Sequence, residues 1–371
     1  MLMVIVRVLV FLVGLGLVTC TVVSAIRTFV LPRSAPDRLT RAVGVGMRQL
    51  FELRLHWTQT YLERDRVLEL YAPLSLLSLP PVWLALILVG YMDIYWALGV
   101  SSWYEALRDS GSALLTLGFA PVDGVLTTLV MFSEATIGLM LVALLIAYLP
   151  TMYAAFSRRE TLVTLLEVRA GSPPAALTML TRFHRIHGLD HLTDMWEAWE
   201  VWFAELEESH TSLPAVVFFR SPQPEHSWIT AAGAVLDAAA LAQSIVDIPS
   251  NPKASLCIRA GYLALRRIAD FFSIHYHPDP HFPDQPISIT RAEFDAACDE
   301  LAHNGVPLKV NRDLAWNDFA GWRVNYNTVL LALCTLTTAP PAPWSSDRGS
   351  SADSSRRHYS RSVLAPDSEI R

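Results

Sequence analysis

Three apolar stretches in the first 155 residues constrain this chain more than any other feature. Crossing the hydrocarbon core of a bilayer takes roughly 20 apolar residues in a helix. Met3 to Ile26 supplies them, with Arg7 as its one charge before the last turn. Pro73 to Val100 supplies a second run, with Asp93 near one end, and Val125 to Tyr153 a third, with Glu134 inside it. Backbone surrounded by lipid must satisfy its own hydrogen bonds, so each run predicts a spanning helix. Composition agrees: 52% of the 371 residues are hydrophobic, 17% are charged, and the mean hydropathy is +0.32. That is too apolar for an ordinary soluble chain. The run from Val329 to Pro340 is too short to span and predicts a core helix.

Val23-Ser24-Ala25 resembles a small-residue cleavage site. No basic segment precedes the first run, however, and the run is longer than the apolar part of a signal peptide, so a retained span is expected. Arginines near the spans set orientation. Arg27, Arg33, Arg38, Arg41, Arg48, Arg54, Arg64 and Arg66 lie between the first two runs, and Arg158 and Arg159 follow the third. The segment between the second and third holds only Arg108, beside Glu105, Asp109 and Asp123. The expectation is a multi-pass protein of the cell membrane, with its N-terminus outside and residues 157–345 forming a cytoplasmic domain.

Residues 36–70 predict a helix carrying Val43, Met47, Leu50, Trp57, Tyr61 and Leu68, with arginines between them. It fits either the bilayer interface or a soluble surface. The segment between spans two and three runs from Ser102 through an aromatic, amphipathic stretch to Thr116-Leu117-Gly118-Phe119-Ala120-Pro121, and the third span follows at once. A half-helix followed by irregular backbone between two spans is a re-entrant pattern. Such backbone is tolerated at membrane depth where protein buries it or where it lines a water-filled path.

Span, pore helix, filter and span is the layout of the pore-loop cation channels, the potassium channel superfamily, which residues 73–156 resemble. Thr116-Leu117-Gly118-Phe119 is similar to the start of that family's Thr-Val-Gly-Tyr-Gly filter, and Gly138 stands where the family's inner helix often carries a hinge glycine. The resemblance implies a homotetramer around one axis, a filter of Thr116, Leu117, Gly118, Phe119 and Ala120, and potassium or sodium as the conducted ion. The fifth filter position departs from the pattern: Ala120, followed by Pro121, stands where the family has glycine. Alanine resists positive φ by about 1–2 kcal/mol, and proline pushes the residue before it toward extended backbone. Weak selectivity is therefore expected. Glu134 lies about 14 Å into the third span at 1.5 Å per residue. It is a pore-lining or gating candidate, with Ser110, Ser112 or Thr116 as its hydrogen-bond partner; helix glue is the plainer role.

The expected architecture is mainly α. Residues 1–28 form the first transmembrane helix and 29–72 a cytoplasmic amphipathic linker helix. Residues 73–156 form the pore-like unit, with a pore helix at 103–115, a filter-like loop at 116–121 and a span at 125–153. A helical cytoplasmic domain at 157–345 and a disordered tail at 346–371 complete the chain. The cytoplasmic half predicts helices over Asp190–Glu208, Trp228–Val246, Pro252–Ile274, Thr290–Asn304 and Arg312–Thr338, and a strand over Val216–Phe219. No nucleotide-binding motif is present, the net charge of -6 gives no nucleic-acid footprint, and the four cysteines lack zinc or disulfide spacing. His184, His187 and His191 share a possible helix, and His275, His277 and His281 share a proline-rich loop; surface or capping roles are expected for both groups. Glu207, Glu208, Ser209 and His210 with Ser221 or Ser227 lack a nucleophile elbow, and no cofactor, metal or enzymatic activity is expected. The rival functional expectation is a non-conducting membrane scaffold or sensor that keeps a pore-like fold. A membrane-bound enzyme would need a polar cleft in residues 157–345.

Overall fold

A computed structural model describes residues 1–29, 37–55, 57–58, 60–121 and 123–351. Arg33 and residues 352–371 of the expected tail lie outside them. The chain forms two compact units, 1–154 and 155–371. Among the described residues both are helical; the one β feature is an isolated bridge between Val246 and Leu308. Three helices are long and apolar enough to cross a membrane, as the three runs predict.

In the first unit, α1 (Leu2–Phe29) packs antiparallel on α4 (Tyr71–Leu98) through glycines. A Cβ on Gly14 would stand 2.4 Å from the Gly90 carbonyl oxygen, and one on Gly90 would stand 2.7 Å from Val18. Lipid offers apolar side chains no reason to associate, so close backbone approach of this kind is what holds spanning helices together. Ser24 and Ala25, which resemble a cleavage site, are buried at this seam, and the Trp83 indole donates to Ser24 Oγ at 3.2 Å.

The linker is two helices rather than one: α2 (Arg38–Leu55) and α3 (Tyr61–Glu69). Thr60 starts α3 with a capping box, its hydroxyl accepting from the Glu63 amide at 3.3 Å. That cap fixes extended backbone at Thr60, which a continuous helix could not carry. Gly99 closes α4 with φ +113. A four-residue turn leads to α5 (Trp103–Leu114), and then comes α6 (Val125–Ala170), longer than the predicted span because its helical run continues past Tyr153. Within the first unit α6 buries a narrow stripe, Glu134, Gly138, Leu141, Tyr148 and Met152, at alternating steps of three, four and seven. Leu126, Leu129, Phe132, Leu139, Val142 and Ile146 around it are exposed.

The second unit is built around α9 (Trp228–Ser244), in which every residue but Gln243 is buried. Its alanines let helices approach from all sides. Around it stand α7 (Ala176–Arg185), α8 (Leu192–Ser212), α10 (Pro252–Phe271), α11 (Arg291–His303), α12 (Arg312–Arg323) and α13 (Asn327–Thr337). The Trp196, Trp199, Phe203 and Leu206 face of α8 is core, as its spacing predicts.

Two expectations fail here for one kind of reason: a tertiary hydrogen bond outweighs local pattern. Val216–Phe219 is not a strand. Pro214–Phe218 is a 3-10 turn whose carbonyls serve neighbours, Val217 accepting from the Trp228 indole at 3.0 Å and Val216 from Arg159 Nη1 at 2.8 Å. Arg312–Thr338 is not one helix. It breaks between Arg323 and Asn327, where Arg323 and Tyr326 both turn to the buried Asp237 on α9. Arg323 Nη1 donates to the two Asp237 oxygens at 2.6 and 2.8 Å, and the Tyr326 hydroxyl donates to Oδ1 at 2.8 Å. The tail also starts later than expected. Ser346–Ser351 makes a 3-10 turn, and Arg348 pairs with Glu293 at 2.6 Å.

Candidate functional site

The site is the short helix α5 and the loop after it. Ser102 caps α5, accepting from the Glu105 amide at 3.2 Å, and Trp103 stacks on Trp96 with ring centroids 5.5 Å apart. These contacts turn the chain back beside α4. Ser110 Oγ lies 3.2 Å from the Leu88 carbonyl oxygen, ten residues before the end of α4. At 1.5 Å per residue α5 therefore reaches about 15 Å back along α4.

Two contacts fix α5 to α6. Glu134 is fully buried, and its Oε1 is 2.5 Å from Ser110 Oγ. Of the three expected partners, the structure gives it Ser110. The other Glu134 oxygen and the Tyr95 hydroxyl are both buried, and the two side chains interact. One turn on, a Cβ at Gly138 would stand 2.2 Å from the Leu114 carbonyl oxygen. The geometry gives this glycine a packing role, as the place where the C-terminus of α5 abuts α6.

The loop that follows is organised by one residue, Ser112. Its carbonyl accepts from the amides of Leu117 at 2.9 Å and Gly118 at 3.3 Å, and its hydroxyl accepts from the Ala120 amide at 3.1 Å. The N–H of one residue and the C=O of the residue before it point in opposite directions across a trans peptide. Three amides turned in toward Ser112 therefore turn the carbonyls of Thr116, Leu117 and Phe119 out. Among the described residues no hydrogen bond ends on any of those three carbonyls. Leu117 and Phe119 are each 60% exposed. Positive φ at Thr116 (+56) and Gly118 (+69) makes the winding possible. At Thr116 it costs of order 1–2 kcal/mol, because its Cβ crowds the backbone there.

Ala120 is different. It is 5% exposed and does not take positive φ. The fifth filter-like residue is buried, which its Ala-Pro sequence does not by itself foretell.

The remaining sequence candidates are scattered. His184 is on α7, but α7 ends at Arg185, so His187 and His191 leave its face. His281 Nε2 lies 3.2 Å from Asp279 Oδ2, and both side chains are exposed. Among the described residues no group of three His, Cys, Asp or Glu could hold a metal ion. Burial pushes the Cys298 thiol up to about 11 and the Cys334 thiol up to about 12, so both stay protonated.

His210 is core. Its Nε2 is 3.3 Å from Arg159 Nη1, and its Nδ1 is 3.0 Å from Ser209 Oγ. Arg159 is itself buried, pairing with Glu160 at 2.7 Å and donating to the carbonyls of Val216 and Phe219. Of the Arg158-Arg159 pair used for orientation in the sequence, Arg158 is exposed and Arg159 buried. Sequence reasoning named Ser112 only as a partner for Glu134 and missed its hold on the loop, and it missed this Arg159 clamp. For Asp237 a signal was present: one acid in an otherwise uncharged alanine-rich helix.

No family model, no curated protein and no solved structure matches the chain.

Proposed function

We propose that the chain is a membrane cation channel of the pore-loop type. Four copies would set the segment from Thr116 to Phe119 around one axis, with the unit of residues 155–351 in the cytoplasm assembling or gating the pore. The observation that carries this reading is the row of carbonyls at Thr116, Leu117 and Phe119, turned away from Ser112 and without partners among the described residues. Carbonyls in that state can replace the water around a monovalent cation. The depth to which α5 returns along α4 supports a re-entrant position for the row, and the exposed flank of α6 leaves room for neighbouring copies. The burial of Ala120 removes one carbonyl ring from the family's pattern, which favours potassium and sodium passing with little discrimination.

Recording from purified protein in planar bilayers tests this. Cation current with a tetramer by native mass spectrometry is the expected result; a monomer without current in potassium or sodium overturns it. A second reading, a non-conducting scaffold or sensor with a pore-like fold, draws on the same tucked Ala120. It predicts a tetramer without current.

A further inference from the structure

We propose that Arg27, Arg38 and Arg41 form a binding site for the phosphate of an anionic membrane lipid. The inference rests on the spanning character of α1 and α4 and is independent of whether the protein conducts.

The three arginines come from two helices that a polar cluster holds together. Asp37 Oδ2 accepts from Ser24 Oγ at 2.5 Å and from the Thr40 amide at 3.0 Å, and Thr28 Oγ is 2.8 Å from Thr40 Oγ. The Trp83 indole donates to the same Ser24 hydroxyl. The last turn of α1 and the first turn of α2 are thus joined side by side at the flank of α4. Arg27 neighbours Thr28, Arg38 neighbours Asp37 and Arg41 neighbours Thr40 in sequence, so the three lie around one junction. All three are exposed, and among the described residues none makes an ion pair. Arg48, further along α2, does pair, with Glu52 at 2.9 Å.

Arg38 and Arg41 do not serve α2 itself, since cations in a first turn oppose the helix dipole. What the junction has beside it is the end of the apolar surface of α1, where Val23 is exposed and Ile26 is the last apolar residue before Arg27. That level of a spanning helix meets lipid phosphates, and guanidinium groups bind phosphate oxygens by paired N–H donors. Asp37, the one carboxylate in the cluster, is held by Ser24 and Thr40, and three guanidinium groups outnumber its single negative charge.

The test is native mass spectrometry on the full-length protein, titrated with phosphatidylglycerol or with phosphatidylcholine of the same acyl chains. At about 1 kcal/mol per arginine, R27Q/R38Q/R41Q binds phosphatidylglycerol on the order of a hundredfold more weakly than the wild type. R27K/R38K/R41K keeps the charge and most of the binding, which guards against a folding defect in the glutamine variant. R54Q/R64Q/R259Q, with the same change in charge, binds as the wild type does. Excess inorganic phosphate does not displace the lipid. Equal retention of the two lipids, wild-type binding by R27Q/R38Q/R41Q, an equal loss in R54Q/R64Q/R259Q or displacement by inorganic phosphate would each overturn the proposal.

Discussion

Single residues carry the geometry of the candidate pore. Ser112 holds three amides, two through its carbonyl and one through its hydroxyl. Ser112→Ala removes only the bond to Ala120, a change of about 1 kcal/mol. If the carbonyl row conducts, this substitution alters the potassium-to-sodium permeability ratio and leaves the oligomer intact, and Ser112→Thr restores the ratio. An unchanged ratio in S112A would remove Ser112 from the account. Gly138 admits no side chain without moving Leu114, so Gly138→Ala costs about 1–3 kcal/mol through overpacking; a lower melting temperature in detergent is the readout. In the second unit Asp237 and Arg323 are both fully buried. Burial works against the Arg323 charge, but Asp237 and Tyr326 outweigh it and hold the guanidinium above its ordinary value. Asp237→Ala strands that charge and costs about 3–5 kcal/mol, as does Arg323→Met, while the double change costs less than their sum. Additive losses in denaturant titrations would show the pair to be uncoupled.

At the scale of elements, sequence and structure agree where the physics is local and part where it is not. The three spans were legible because lipid allows no other use for runs of that length. α5 was legible from its aromatic, amphipathic pattern between two spans. The break between α2 and α3 was equally visible in Thr60-x-x-Glu63, but the apolar spacing through residues 36–70 argues for continuity, and only the capping box decides against it. The break between α12 and α13 had no local mark. It exists because Arg323 and Tyr326 share an acid on α9, far away in sequence. The carbonyl row was half legible. Thr116 and Gly118 pointed to a special loop, but its anchoring to Ser112 needed coordinates. A further prediction belongs here. Leucine at Gly14 cannot sit 2.4 Å from the Gly90 carbonyl, so Gly14→Leu separates α1 from α4 and costs about 1–3 kcal/mol. Protease cleavage after Arg27 should then become faster, and an unchanged rate would mean that the seam does not hold α1.

For the molecule as a whole, pH acts through His210. Burial first, and then the Arg159 charge, hold its imidazole well below the ordinary value near 6.5. The unfolded chain therefore binds this proton more readily than the folded one. The stability that a neutral His210 contributes is fully present above about pH 6.5 and is lost as pH falls below it, by about 1.4 kcal/mol per pH unit. Tryptophan-fluorescence melts of the full chain should show His210→Gln, which keeps an acceptor for Arg159, losing less stability on acidification than the wild type. Parallel curves would rule His210 out as the titrating group.

The Asp237–Arg323 pair also sets an order of events during synthesis. The two residues are 86 positions apart. At 5–20 residues per second the acid waits roughly 4 to 17 seconds for its partner to be made. All three helices long and apolar enough to span precede it, and the packing around α9 is incomplete until the final helices are made. A ribosome that stalls before residue 323 would leave the three apolar helices complete and the second unit unfinished, with Asp237 lacking its guanidinium partner.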